Sequence, residues 1–229
     1  MSDFVTLVLA ALVGYLIGAI PSGYILVKLL KGVDLREIGS GRTGGTNAYR
    51  AAGVPVGFTT AVLDVLKGAC AVWAVRALFA DSISSDFLPW IEVVAGVFSV
   101  VGHNWSVYIG WKGGAGTGPN VGWAGAIWLP IVPVAFITVA AIMVGLGIAS
   151  IASMAMAIAV PVAFIALYAA GIEPYDATIA YIVGGIVGAA VILWSLRPNI
   201  RRLLAGNEFL VGPRRSRKKN QESEADIEN

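Results

Sequence analysis

Residues 113 to 172 read GGAGTGPNVGWAGAIWLPIVPVAFITVAAIMVGLGIASIASMAMAIAVPVAFIALYAAGI, sixty consecutive positions without a charged side chain. A soluble fold of 229 residues has no means of hiding such a tract from water, whereas a bilayer requires one. The rest of the chain agrees. Charged residues make up 13% of it, against about 25% in soluble domains, 57% is hydrophobic, and the mean hydropathy is +0.78. An ordinary soluble enzyme is excluded, and the expected fold is an all-α polytopic membrane bundle. The formal net charge is +2 with the basic surplus near the C-terminal end, a pattern of membrane-surface contact rather than nucleic-acid binding. The single cysteine, Cys70, allows neither an intrachain disulfide nor a cysteine metal cluster.

Outward from the neutral tract, apolar runs predict spans at about 4–24, 55–79, 88–111, 151–170 and 177–196, with the tract 119–149 between the third and fourth of these. Lys28, Lys31, Arg36, Arg42 and Arg50 follow the first span, while the loops at 81–89 and 173–176 hold no basic residue. Positive charge is retained on the cytoplasmic side. The first loop is therefore expected inside and the other two outside. Arg197, Arg201, Arg202, Arg214, Arg215, Arg217, Lys218 and Lys219 put the C-terminus inside and the N-terminus outside, which demands an odd number of crossings. Pro130 and Pro133 divide the tract 119–149 into two short helices, about 119–132 and 134–149, since proline removes a helix hydrogen bond. The count becomes seven, with five as the alternative. Residues 1–212 are expected to form the membrane domain, and 213–229, rich in Glu, Ser, Asn and Asp after a basic cluster, a disordered cytoplasmic tail.

Three segments rich in small and polar residues fall on the cytoplasmic side of this topology. The first is Gly39-Ser40-Gly41-Arg42-Thr43-Gly44-Gly45-Thr46-Asn47-Ala48-Tyr49-Arg50. Its glycines let backbone amides turn toward an anion, Ser40, Thr43 and Thr46 offer hydroxyls, and Arg42 and Arg50 offer planar forks for phosphate. The same composition fits a flexible loop whose arginines obey the positive-inside bias. The second comprises Gly102-His103-Asn104 and then Trp111-Lys112-Gly113-Gly114-Ala115-Gly116-Thr117-Gly118-Pro119-Asn120, a glycine-rich turn entering a helix. Such a turn presents free N–H groups to an anion, or is merely interhelical. The third, Arg197 to Glu208, carries Asn199 and Glu208 among arginines and also reads as a basic helix on headgroups. Asp64 and Lys67 lie one helical turn apart inside a span, the spacing of a supporting ion pair. His103 is the only histidine, so no metal-ligand set and no histidine-activated nucleophile is visible.

In this order the segments resemble the bacterial acyl-phosphate:glycerol-3-phosphate acyltransferases of the PlsY type. The resemblance also takes in Tyr15-Leu16-Ile17-Gly18 with Ile20-Pro21, Asp64 with Lys67-Gly68, and Asn199-Ile200 with Arg202-Leu203-Leu204. It implies a seven-span protein of the bacterial cytoplasmic membrane with its site facing the cytoplasm. The implied reaction moves a fatty acyl group from acyl phosphate to the 1-hydroxyl of glycerol 3-phosphate and needs no cofactor. Carried over by position, Ser40, Arg50 and Asn199 are the catalytic residues. Gly113, Gly114, Gly116 and Ser153 are by the same carry-over substrate- or phosphate-binding and Glu208 supporting, while the residues themselves add Arg42, Thr46, Asn47, His103 and Lys112 as substrate- or phosphate-binding candidates and Asp64 and Lys67 as supporting ones. The implied partners are the two substrates and membrane lipids.

Several positions depart from the family's usual pattern. Arg42 and Gly45 replace an asparagine and an alanine in the first segment. In the second, Ala115 replaces a lysine, and Thr117-Gly118-Pro119 replaces valine-alanine-threonine. Leu196 replaces a histidine in the third. A cation and an imidazole are thereby lost, and Arg42 is expected to restore the charge if it reaches the same pocket. The departures leave as alternative a divergent relative that binds lipid or phosphate without this activity, or uses another phosphorylated acceptor. A transporter is disfavoured, since the neutral tract offers no polar path across the bilayer.

Overall fold

The computed structural model describes residues 2–172, 175 and 179–211; the expected tail at 213–229 and most of the expected outer loop at 173–176 lie outside them. The described residues form ten α-helices: α1 Asp3–Ala19, α2 Ser22–Lys31, α3 Gly45–Ala52, α4 Val54–Phe79, α5 Leu88–Asn104, α6 Thr117–Ile127, α7 Ile131–Gly145, α8 Ala149–Ala169, α9 Ile179–Ser195 and α10 Arg197–Leu204. No strand occurs among them.

Local chemistry sets the ends. Ser2 caps α1 by accepting from the Val5 amide, and the helix stops at Ala19 because Pro21 cannot donate. The first expected span, 4–24, is thus broken near its end, and α2 resumes at Ser22 and closes on Gly32 in the left-handed conformation, φ +70°. The tract 119–149 does divide in two, but at residues 128–130 rather than at Pro133. Pro133 instead sits in the first turn of α7, where a missing N–H costs nothing. Pro161 leaves α8 continuous, and its ring and backbone form the surface against which Gly185 of α9 packs. The last expected span, 177–196, is filled by α9 and ends at a 61° bend into α10, beside Pro198.

Helices meet through small residues, as apolar bundles without a hydrophobic drive between helices require. A Cβ at Gly14 or Gly18 would collide with the backbone of Ala95 or Ser99, and one at Gly102 with that of Tyr15. The pairing rises together in both helices, so α1 and α5 run parallel in close contact. Gly68 and Gly122 do the same for α4 against α6. At the centre, Trp123 stacks on Phe164 with ring centroids 5.6 Å apart, surrounded by Val97, Val100 and Ile192. Outward faces carry Leu12, Leu16, Ile137, Val144, Ile165 and Ile186, the reverse of a soluble protein. Asp3–Lys31 and Ala149–Ala169 are long and apolar enough to cross a bilayer on their own, and the bent pair α9–α10 together meets the same test.

One buried polar group was not anticipated. Glu92 of α5, 2% exposed, is bridged by Arg76 of α4 and accepts from the Tyr181 hydroxyl of α9 at 2.8 Å. Arg76 also donates to the Ala126 carbonyl near the end of α6. This group ties four helices together away from the glycine-rich segments.

Candidate active site

The three segments converge. A cavity of about 800 Å³ is lined by Ser40, Arg42, Thr46, Asn47 and Arg50 from the first, by His103 and residues 115–118 from the second, and by Asn199 and Glu208 from the third. Asp64, Ser150 and Ser153 complete its polar lining. The remaining wall is apolar, chiefly Phe58, Ala61 and Val65 of α4 with Phe136, Val139, Ala140 and Met143 of α7. Such a cavity suits an amphiphile with an anionic head.

Three helices begin at it. The starts of α3 at Gly44-Gly45, α6 at Gly116-Thr117 and α8 at Ala149-Ser150 all line the cavity, and none has a side-chain cap. First-turn amides at a helix start lack intrahelical partners and carry the positive end of the dipole, so three such starts favour anions. Gly116 has φ +90°, a conformation that a residue with a Cβ adopts only with strain, and a Cβ there would also press on Val100 and Asn104.

Asn47, 2% exposed, shapes the first loop. Its amide donates to the carbonyls of Leu35, Ile38 and Arg42 at 2.8–3.0 Å, and its carbonyl oxygen accepts from the Ser40 amide at 3.3 Å. The Thr43 amide donates to Gly113, which joins this loop to the second.

Arg42 joins all three segments. Its guanidinium donates to the Gly114 carbonyl at 2.7 Å, to the Ser195 hydroxyl at 3.1 Å and carbonyl at 2.6 Å, and to Asn199 Oδ1 at 3.1 Å. Gly114 adjoins Ala115 and Ser195 adjoins Leu196, so the cation lies beside the two positions at which the usual lysine and histidine are missing. Burial, and next the Arg202 guanidinium, lower its pKa, while Glu208 acts the other way; arginine remains charged throughout. Asn199 in turn donates to Glu208 Oε1 at 3.0 Å, and Arg202 pairs with Glu208 at 3.2 Å. Beyond Glu208 the chain docks on the α7–α8 turn, where the Val211 amide donates to Gly147.

Lys67, 6% exposed, places its ammonium 2.9 Å from Asp64 Oδ1 and 2.7 Å from His103 Nδ1, and donates to the Ile20 carbonyl at 2.9 Å. An ammonium only donates, so His103 Nδ1 accepts and its proton is carried on Nε2. Gly114 lies against that edge of the ring, and a Cβ there would overlap Nε2. The expected Asp64–Lys67 pair exists and includes the histidine.

Lys112 and Gly113 do not reach this cavity; they line a separate one, described below. Gly114 acts through its carbonyl and its contact with His103. Two residues escaped the sequence reading as site candidates: Thr117 and Ser150 line the cavity with buried hydroxyls that have no partner within the protein. Their place in the first turns of α6 and α8 was the available signal. Ser195, the acceptor for Arg42, gave none.

An all-helical membrane bundle whose glycine-rich turns gather cations and helix starts around such a cavity belongs to the class of membrane proteins with a site for an anionic amphiphile. The model of one family, glycerol-3-phosphate acyltransferase, matches residues 8–206, and the chain belongs to that family. Among curated relatives, the glycerol-3-phosphate acyltransferase of Synechococcus sp. (strain CC9902) is 38% identical over 90% of this chain and 96% of its own. That of Parasynechococcus marenigrum (strain WH8102) is 35% identical over 90% and 91%. Two crystal structures of PlsY (YgiH), an integral membrane glycerol 3-phosphate acyltransferase, each share 32% identity over 90% of this chain. The glycerol 3-phosphate form is covered over 96% with a TM-score of 0.72, and the lysophosphatidic acid form over 95% with a TM-score of 0.73. The protein is therefore an integral membrane acyltransferase of this family.

Proposed function

We propose that the protein transfers a fatty acyl group from acyl phosphate to the 1-hydroxyl of glycerol 3-phosphate, releasing inorganic phosphate and lysophosphatidate. The observation that carries this reading is the cavity itself, in which an apolar wall from α4 and α7 meets three uncapped helix starts, Arg42 and Arg50. Acyl phosphate is a mixed anhydride, so its acyl carbon needs no covalent relay through the enzyme. The hydroxyl oxygen forms the new ester bond, the bond from acyl carbon to phosphate oxygen breaks with its electrons on phosphate, and the hydroxyl proton passes to a phosphate oxygen. The protein's work is to hold two anions close and to stabilise the developing oxyanion.

In this reading Ser40, Thr46 and Arg50 bind phosphate together with the amides of the three helix starts. Asn199, held by Arg42 and Glu208, orients the acceptor, and His103 Nε2–H donates to an oxygen of either substrate. Ser153 contacts substrate from α8, where it lines the cavity. Seven segments, α1 and α4 through α9, cross the bacterial cytoplasmic membrane, with α2, α3 and α10 at its cytoplasmic face and the N-terminus outside. The parallel run of α1 and α5, linked through α4, supports this count, as does the arginine and lysine content of the loops on the cavity side.

The test is purified protein given palmitoyl phosphate and glycerol 3-phosphate, with Ser40→Ala and Arg50→Ala beside it. Lysophosphatidate and phosphate should form in equal amounts and vanish in both variants. Folded protein that leaves palmitoyl phosphate intact would transfer the assignment to a non-catalytic relative or to another acceptor.

A further inference from the structure

A second cavity, of about 610 Å³, lies beyond the Arg42 side chain, which is the one described residue shared with the first. Its charge is lopsided. Arg36, Arg42, Lys112, Arg197 and Arg201 all line it. Arg36 is neutralised by Asp34, at 2.5 Å, and also donates to the Ile109 carbonyl. Among the described residues no carboxylate lies within 4.0 Å of the charged nitrogens of Lys112, Arg197 or Arg201. Three cations thus face one cavity without an anion, an arrangement that repels itself until an anion enters.

Three tryptophans border the same cavity. Trp111 and Trp194 are 62% and 58% exposed, and Trp105 stands beside them. Arg197 lies 3.3 Å over the Trp194 ring, which fixes its fork at the mouth. Trp111 is the one described residue other than glycine with positive φ, at 63°, held by its amide bonded to Ser106. Tryptophan favours the headgroup level of a bilayer, and exposed indoles beside unpaired cations match the glycerol and phosphate of a lipid. Asn104 also belongs to the wall, and both polar atoms of its buried amide lack a partner within the protein.

We propose that this cavity is a second phosphate site, distinct from the catalytic one, which takes the phosphate of an anionic membrane lipid. The bound headgroup neutralises Lys112, Arg197 and Arg201, braces the α9–α10 bend from the side opposite the catalytic cavity, and seats that end of the bundle at the membrane surface. Substrate occupancy of the first cavity is not required for it.

The experiment is native mass spectrometry of the full chain released from neutral detergent with phosphatidylglycerol or phosphatidylcholine, the wild type beside Arg197→Gln/Arg201→Gln. Phosphatidylglycerol should remain bound where phosphatidylcholine is lost, and the double variant should bind it roughly thirtyfold more weakly, from about fivefold for each basic residue at a lipid surface. Arg201→Gln alone, at an exposed side chain, is the second variant and should show the single fivefold loss. Equal retention of the two lipids, or an unchanged affinity in folded variants, overturns the proposal. Complete displacement of the lipid by millimolar inorganic phosphate overturns it in favour of a free-phosphate site. Lysophosphatidate formation by the same wild-type preparation separates the readings: product without selective lipid retention sinks this inference alone, and retention without product sinks only the proposed reaction.

Discussion

The guanidinium of Arg42 donates to the carbonyl oxygen of Ser195 at 2.6 Å, tying the loop after α2 to the last turn of α9. That carbonyl lies where the helix bends into α10, so the arginine acts as a cationic cap at a helix C-terminus. Its remaining donors hold Gly114 and Asn199, so one side chain fixes the relative positions of all three segments. Arg42→Asn should reduce lysophosphatidate formation at least about a hundredfold, since the variant loses both the field and the fork. Arg42→Lys keeps the charge without the planar geometry and should fall between. Radiolabelled glycerol 3-phosphate incorporation by folded variants measures both, and wild-type turnover in the asparagine variant would remove Arg42 from the mechanism.

Lys67 has a second assignable task, because its ammonium sets which nitrogen of His103 bears the proton. Lys67→Met leaves the Asp64 carboxyl without its counter-charge in the bundle, and breaking such a buried pair costs about 3–5 kcal/mol. The variant should therefore melt earlier and lose activity. Asp64→Asn/Lys67→Met removes both charges and should regain much of the stability while remaining impaired in turnover, since His103 stays unoriented. Melting curves and turnover on the same samples give the comparison, and a double variant restored in both would leave the triad a purely structural device.

The residues most easily read from the sequence were those whose partners lie within one turn or whose chemistry forbids alternatives. Two prolines close together at 130 and 133 favoured a break in the tract, and Asp64 and Lys67 stood three positions apart, so the divided tract and the ion pair were both foreseeable. The charge pattern assigned the glycine-rich segments to one face, which made their meeting in one cavity reasonable to expect. Contacts spanning long separations were out of reach. Nothing in sequence joins Lys67 to His103, Arg76 to Glu92, or Arg42 to Ser195. Lys112 shows the same limit from the other direction, since its place beside Gly113 says nothing of which side of the Arg42 partition it faces.

The Glu92 group separates stability from chemistry. It lines neither cavity, yet its carboxylate holds Arg76 and Tyr181 within the bundle. Glu92→Gln should lower the melting temperature, because Arg76 loses its counter-charge and Tyr181 its charged acceptor. The KM for glycerol 3-phosphate should stay at the wild-type value below the melting transition. A KM change without a stability change would mean that the network communicates with the site.

Thr117 and Ser150 offer the converse experiment. Each hydroxyl is buried, lines the larger cavity, of about 800 Å³, and bonds to nothing in the protein, so removing it breaks no internal hydrogen bond. Thr117→Ala and Ser150→Ala should leave melting unchanged, whereas a hydroxyl that donates to a charged phosphate is worth about 1.5–3 kcal/mol. The expected loss in kcat/KM is therefore about tenfold or more for each. Because the two residues begin different helices, their effects indicate which helix start meets which substrate. A rise in KM for palmitoyl phosphate with that for glycerol 3-phosphate unchanged assigns the helix to the acyl donor, and the opposite split assigns it to the acceptor. Folded variants with unaltered constants for both substrates would place these hydroxyls outside the anion site altogether.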